Sequence, residues 1–142
     1  MSFDLAIWVG EKPGSDQEAH ETFDRLMRTF DGTDVPPDPR LLKCKKEITG
    51  HYPDDWRAHL IGCVWTSIPL TPHGSILIMN LTWGVSDAVL DHIARTAEKH
   101  GLVCYDLQKS IVVDATSLGG LHESHSAGYK AFLRVARLLG WR

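Results

Sequence analysis

The chain has 142 residues, of which 43% are hydrophobic and 23% charged, a balance that excludes disordered, collagenous and membrane-spanning classes and fits one domain over residues 1–142. Fifteen Lys plus Arg against eighteen Asp plus Glu leave a formal charge of -3, so no basic field exists to gather nucleic acid or an anionic membrane. The opening residues lack a basic n-region and carry Asp4 inside their apolar stretch, and no window approaches the roughly 18 to 20 apolar residues of a membrane helix. Cys44, Cys63 and Cys104 form no Cys-x-x-Cys pair, so the expected setting is a reducing cytoplasm with free thiols.

Phe3 to Val9 alternates, with Phe3, Leu5, Ile7 and Val9 on one side and Asp4, Ala6 and Trp8 on the other, which predicts a strand. Ser15-Asp16-Gln17-Glu18 has capping-box form and opens a helix whose stripe is Ala19, Phe23, Leu26, Met27 and Phe30, closed by Gly32. Asp38-Pro39 places a capping carboxylate before a proline at the first helical position, predicting a second helix with Leu41, Cys44, Ile48 and Tyr52 on one face. Cys63 to Ile68 and Ser75 to Thr82, rich in Ile, Val, Thr and Trp, read as a hairpin across the Pro69, Pro72 and Gly74 region.

Ser86 begins a third helix, with Val85 and Leu90 set for a hydrophobic staple and Val89, Leu90, Ile93, Ala94 and Ala97 forming the stripe before Gly101. Leu102 to Asp106 and Ile111 to Asp114 are two further strands, followed by a Gly119-Gly120 loop and a last helix from about Ser126 to Leu139. The order contains a β-α-β-β-α-β core. It predicts an α+β, ferredoxin-like sandwich with an inserted helix and an appended C-terminal helix, the first and third helices sharing one sheet face.

On that plan Trp8, joined by Trp65, turns to the other face. Two indoles on an uncovered sheet would make an adhesive surface for a protein partner or a second copy of the chain, because Trp combines large apolar area with one donor. Burial beneath the last helix is the plainer alternative. The same face, with His73 or His59, would line a small-molecule or enzyme site if the chain closed as a dimeric α+β barrel. Lys130, Arg134 and Arg137 form a basic ridge opposite Phe132, Leu133, Ala136 and Leu139 and are read as binding residues for an acidic group, a solvated face being the ordinary alternative.

Eight histidines include one close pair, His122 and His125, at i, i+3 spacing, which is the candidate metal pair. No Gly-x-Ser-x-Gly elbow, Gly-x-Gly-x-x-Gly turn or Gly-x-x-x-x-Gly-Lys-Ser/Thr loop occurs, so neither a catalytic residue nor a cofactor is assigned. Charge is segregated: Asp16, Glu18, Glu21, Asp24 and Asp31 outweigh Arg25 and Arg28 in the first helix region. Arg40, Lys43, Lys45 and Lys46 outweigh Glu47 in the second.

Ser2-Phe3-Asp4-Leu5-Ala6-Ile7-Trp8 and the run Ala97-Glu98-Lys99-His100-Gly101-Leu102-Val103-Cys104-Tyr105-Asp106-Leu107-Gln108 resemble a group of small, largely uncharacterised bacterial proteins. These begin Ser-Tyr/Phe-Asp-Leu-x-Val/Ile-Trp and carry a helix ending in His-Gly-Leu-Val-x-Tyr/Phe-Asp-Pro-Gln. The chain has Leu107 where that pattern has Pro, and its tail after Gly119 is additional. The resemblance covers strand one and the third helix with its following strand. It implies a cytoplasmic scaffold of the kind that serves as an immunity-type partner of a toxin, and it brings no site residues. The expectation is therefore a non-enzymatic binding protein, with the barrel-type enzyme or small-molecule binder second and the histidine metal protein third.

Overall fold

A computed structural model describes residues 2–29 and 35–113, with the backbone only at positions 59 and 61. The elements run β1 (Ser2–Val9), α1 (Asp16–Arg28), α2 (Pro39–His51), α3 (Ala58–Ile61), β2 (Ile76–Thr82), α4 (Asp87–Lys99), β3 (Leu102–Asp106) and β4 (Ile111–Val113). The fold is α+β, three long helices and a four-stranded antiparallel sheet in the order β2-β1-β3-β4. β2 and β3 both run against β1, so α4 carries the chain over β1 from one flank to the other.

The helix starts follow their local chemistry. The Ser15 side chain accepts from the Glu18 amide at 3.1 Å, and the Glu18 carboxylate accepts from the Gly14 amide at 3.0 Å. Two otherwise unpaired donors at the head of α1 are thereby satisfied. Asp38 accepts from the Arg40 amide at 2.9 Å with Pro39 at the first position of α2. α4 ends at His100, and Gly101 follows at φ +70, the left-handed step that turns the chain into β3.

Strand alternation sorts the core into two clusters. Phe3, Leu5 and Ile7 join Leu77, Met79 and Leu81 of β2 and Leu102 and Cys104 of β3 on one face, beneath Leu41, Cys44 and Ile48 of α2 and Val89, Ile93 and Ala97 of α4. Ala6 and Trp8 join Ile76, Val103 and Tyr105 on the other, beneath Ala19, Phe23 and Leu26 of α1. The sheet is thus covered on both sides. Each large aliphatic or aromatic side chain so buried contributes roughly 1.5–3 kcal/mol.

Two expectations are corrected. The first and third helices of the sequence reading, α1 and α4, do not share a face: α4 packs with α2, and α1 lies on the opposite side. The segment Cys63 to Ile68 is not a strand but a single bridge, Trp65 to Leu81, flanked by bonds from the Thr66 amide to the Asn80 carbonyl and from the Thr82 amide to the Val64 carbonyl, each 2.8 Å. Trp65 is drawn inward, Ser67 and Ile68 are exposed, and Pro69 has no N–H to continue a ladder. The β-α-β-β-α-β core therefore lacks one of its strands.

The stretches Ser2–Trp8 and Ala97–Gln108 meet at one end of the sheet. Beyond the Leu5–Asp106 pair, the Leu107 amide donates to the Asp4 carbonyl at 3.2 Å and the Gln108 side-chain amide adds to it: its oxygen accepts from the Asp4 amide and its nitrogen donates to the Asp4 carbonyl at 3.0 Å. Buried Asp106 organises the turn, its Oδ1 accepting from the Gln108 amide, the Gln108 side chain and the Lys109 amide. Asp4 Oδ1 in turn accepts from Asn80 at 2.8 Å and Ser2 at 2.7 Å. These motif residues thus lock strand ends together. Gln108→Ala is expected to lower unfolding free energy by about 1 kcal/mol in a denaturant melt, more than the few tenths typical of an exposed position.

Candidate interaction site

The sequence-predicted residues do not assemble into one site. Trp8 is 1% exposed, with its ring 5.5 Å from Tyr105, which lies 5.5 Å from Phe23 of α1. The Tyr105 hydroxyl is 3.0 Å from His20 Nδ1, and His20 Nε2 is 3.4 Å from Asp24. A tautomer protonated at Nε2 lets one imidazole accept from the phenol and donate to the carboxylate. The indole expected on an open binding face is therefore core, because α1 closes that face with the small Ala19 and the ring of Phe23.

Trp65 belongs to the other cluster, packed with the α2 and α4 side chains, and its indole Nε1 donates to the Tyr52 carbonyl at 2.9 Å. The expected pairing of Trp8 with Trp65 on one surface is corrected by this placement. His73 bridges to Ile76 and borders a hollow of about 270 Å³ with Leu26, Val35 and Ser75, which neither indole lines. A second hollow of about 210 Å³ lies beside Gly10, Gly101, Leu102 and Val113. The candidates Lys130, Arg134, Arg137, His122 and His125 lie outside the described residues. Among the described residues, no three His, Cys, Asp or Glu side chains are placed to hold a metal ion.

The surface that does stand out is the connection from α2 to β2. Its base is tied at two points: Tyr52 to Trp65, and Asp54 Oδ2 to the Leu70 amide at 2.8 Å, with Lys45 Nζ 3.8 Å from the same carboxylate oxygen. Within it, Asp55 and Arg57 clasp each other through Nε at 3.0 Å and Nη2 at 2.9 Å, while the Arg57 amide donates to Asp55 at 2.9 Å. The Arg57 guanidinium holds the Asp55 carboxyl below its ordinary value, and Asp55 raises that of Arg57. Between these two residues sits Trp56, 71% exposed, and one turn later Leu60 is also 71% exposed.

The helix that leads into this turn is basic and partly apolar on its outer side. α2 exposes Arg40, Leu42, Lys43 and Lys46 along its length. An indole in water on a turn whose flanking residues form a guanidinium–carboxylate fork is contact area available for docking, with part of the backbone ordering already made. Sequence reading passed over Trp56 because it lies outside the stripes assigned to the helices. The signal was its context, an aromatic between Asp55 and Arg57 in a short segment bounded by Pro53 and Gly62.

The cysteines divide by environment. Burial pushes the Cys44 thiol up to about 12 and raises that of Cys104 further, with Glu47 adding to the first and Asp106 to the second. Cys63 is partly exposed and its Sγ donates to the Trp65 carbonyl at 3.3 Å. Maleimide labelling of the native protein at pH 8 should modify Cys63 at least about tenfold faster than the other two, since the thiolate is the nucleophile. Equal labelling of all three would contradict the packing described for α2 and β3.

No family model matches this chain, and comparison with curated proteins and with solved structures likewise gave no match. The class of the protein is α+β, and its site is defined by its own geometry.

Proposed function

We propose that this protein is a non-enzymatic binding protein whose contact surface is the Trp56–Leu60 turn together with the basic outer side of α2. The observation that carries this reading is the exposure of Trp56 on a turn stapled at its base. Tryptophan is the residue most enriched among interface hot spots, and a rigid presentation avoids the ordering cost of binding. The fitting partner is a protein offering an apolar pocket rimmed by acidic side chains, opposite Arg40, Lys43 and Lys46. A cytoplasmic, immunity-type role toward a toxin is the form of this proposal that the family resemblance favours, and kinship with the ferredoxin-like sandwich would rest on the β2-α4-β3 crossover.

The barrel-type enzyme or small-molecule binder is less well supported, because α1 occupies the sheet face on which a second copy would have to close. The test is a photo-crosslinking amino acid placed at position 56 in the source cells. One defined protein adduct, absent when the crosslinker stands at exposed Glu21 on α1, is the expected result. Adducts indistinguishable between the two positions would refute the assignment.

A further inference from the structure

The contact between α2 and α4 holds two imidazoles against each other. The ring centroids of His51 and His92 lie 4.3 Å apart at 59°, and Tyr52 meets His92 edge-on at 5.4 Å. His92 Nδ1 is buried with no hydrogen-bond partner in the structure, so a doubly protonated His92 ring would carry a donor with nothing to accept it.

The charges around the pair come from both helices. From α2 they are Glu47 and His51 itself; from α4 they are Asp91, Arg95, Lys99 and His100. Glu47 is engaged by Lys99 Nζ at 2.6 Å and His100 Nε2 at 3.3 Å, and Asp91 Oδ2 by Arg95 Nε at 3.0 Å. Burial first, and the neighbouring His51 ring second, hold the His92 imidazole below its ordinary value, with Glu47 and Asp91 offsetting part of this.

We propose that the His51–His92 contact makes the α2–α4 packing an acid-sensitive joint, in which a charged His92, with no acceptor for its buried Nδ1, is accommodated only by parting the two helices. Tyr52 caps α2, with its amide donating to the Ile48 carbonyl at 2.9 Å, and its own carbonyl holds the Trp65 indole. Parting the helices therefore loosens the base of the 52–70 connection. The joint is a property of the fold and stands apart from what docks at Trp56.

The sign follows from linkage. A histidine whose folded value lies below the unfolded value of about 6.5 leaves stability unaffected well above that pH, and stability falls as pH drops from there through the lowered value. The test is amide hydrogen exchange of the intact protein at pH 7.5 and 5.0, normalised to intrinsic rates, with NMR titration of the imidazoles. Protection at the Tyr52 amide is expected to fall about tenfold in the wild type and less than about twofold in His92→Gln. The His92 signal is expected to titrate below the ordinary histidine range in the wild type. If His92→Gln does not fold, His51→Gln serves: an upward but partial move of the His92 titration supports the joint, since only the smaller of its two lowering causes has been removed. Equal protection losses in wild type and His92→Gln, or a His92 titration unmoved in His51→Gln, would overturn it.

Discussion

Replacing Trp8 with alanine is expected to remove about 3–5 kcal/mol of folding stability, the range for deleting a large aromatic from a packed core. The side chain is 1% exposed, stacked on Tyr105, and enclosed by Ala19, Phe23 and Leu26 from α1 with Ile76 and Val103 from its neighbouring strands. Its loss leaves a cavity that α1, held mainly by this one cluster, can only partly collapse into. A total stability of roughly 5–15 kcal/mol would be cut severely, so the variant should show a large drop in denaturation midpoint or fail to accumulate folded. Trp8→Phe should recover a substantial part. A Trp8→Ala protein with wild-type stability would place this indole on a surface, contrary to the structure.

Trp56→Ala is expected to behave in the opposite way. With most of its ring in solvent, it should change folding stability by no more than about 0.5 kcal/mol. Affinity for the partner identified by crosslinking should fall by at least about 2 kcal/mol, roughly thirtyfold, as for a central hot-spot residue. Leu60→Asp should weaken binding in the same assay, and Arg57→Ala should do so less, by unfastening the Asp55 clasp and so raising the ordering cost rather than by removing contact area. Unchanged affinity in both Trp56→Ala and Leu60→Asp would remove this turn from the interface.

The contrast between these two tryptophans shows what could be read in advance. Alternation in β1 correctly separates Phe3, Leu5 and Ile7 from Ala6 and Trp8, because a strand's side chains must point to opposite sides. The caps at Ser15 and Asp38 and the α2 and α4 stripes are likewise local chemistry, and the structure has them where the residues suggest. What alternation does not carry is which helix covers which side. The α1 stripe of Ala19, Phe23 and Leu26 fits either face in the abstract; it is the small Ala19 and the Phe23–Tyr105 contact that match it to the Trp8 side, a pairing visible only in three dimensions.

Residues 63–68 failed for a related reason. Their composition is strand-like, yet the backbone pairs only around Trp65, whose indole is committed to the Tyr52 carbonyl. Trp56 sits four residues from both Tyr52 and Leu60, a spacing that by itself suggests a buried face; its exposure depends on how the turn is placed in three dimensions. That the Gln108 side chain bonds both the amide and the carbonyl of Asp4 was not legible, since it depends on β1 and β3 being adjacent in space.

The measurement that bears most directly on this account is a set of nuclear Overhauser contacts from the Tyr105 ring. The structure predicts cross-peaks from Tyr105 to the Trp8 indole on β1 and also to Phe23 on α1, joining the sheet to the helix that covers it. Contacts from Tyr105 to Trp8 alone, with none to any α1 side chain, would leave that face of the sheet open and contradict the central claim that both sides are covered.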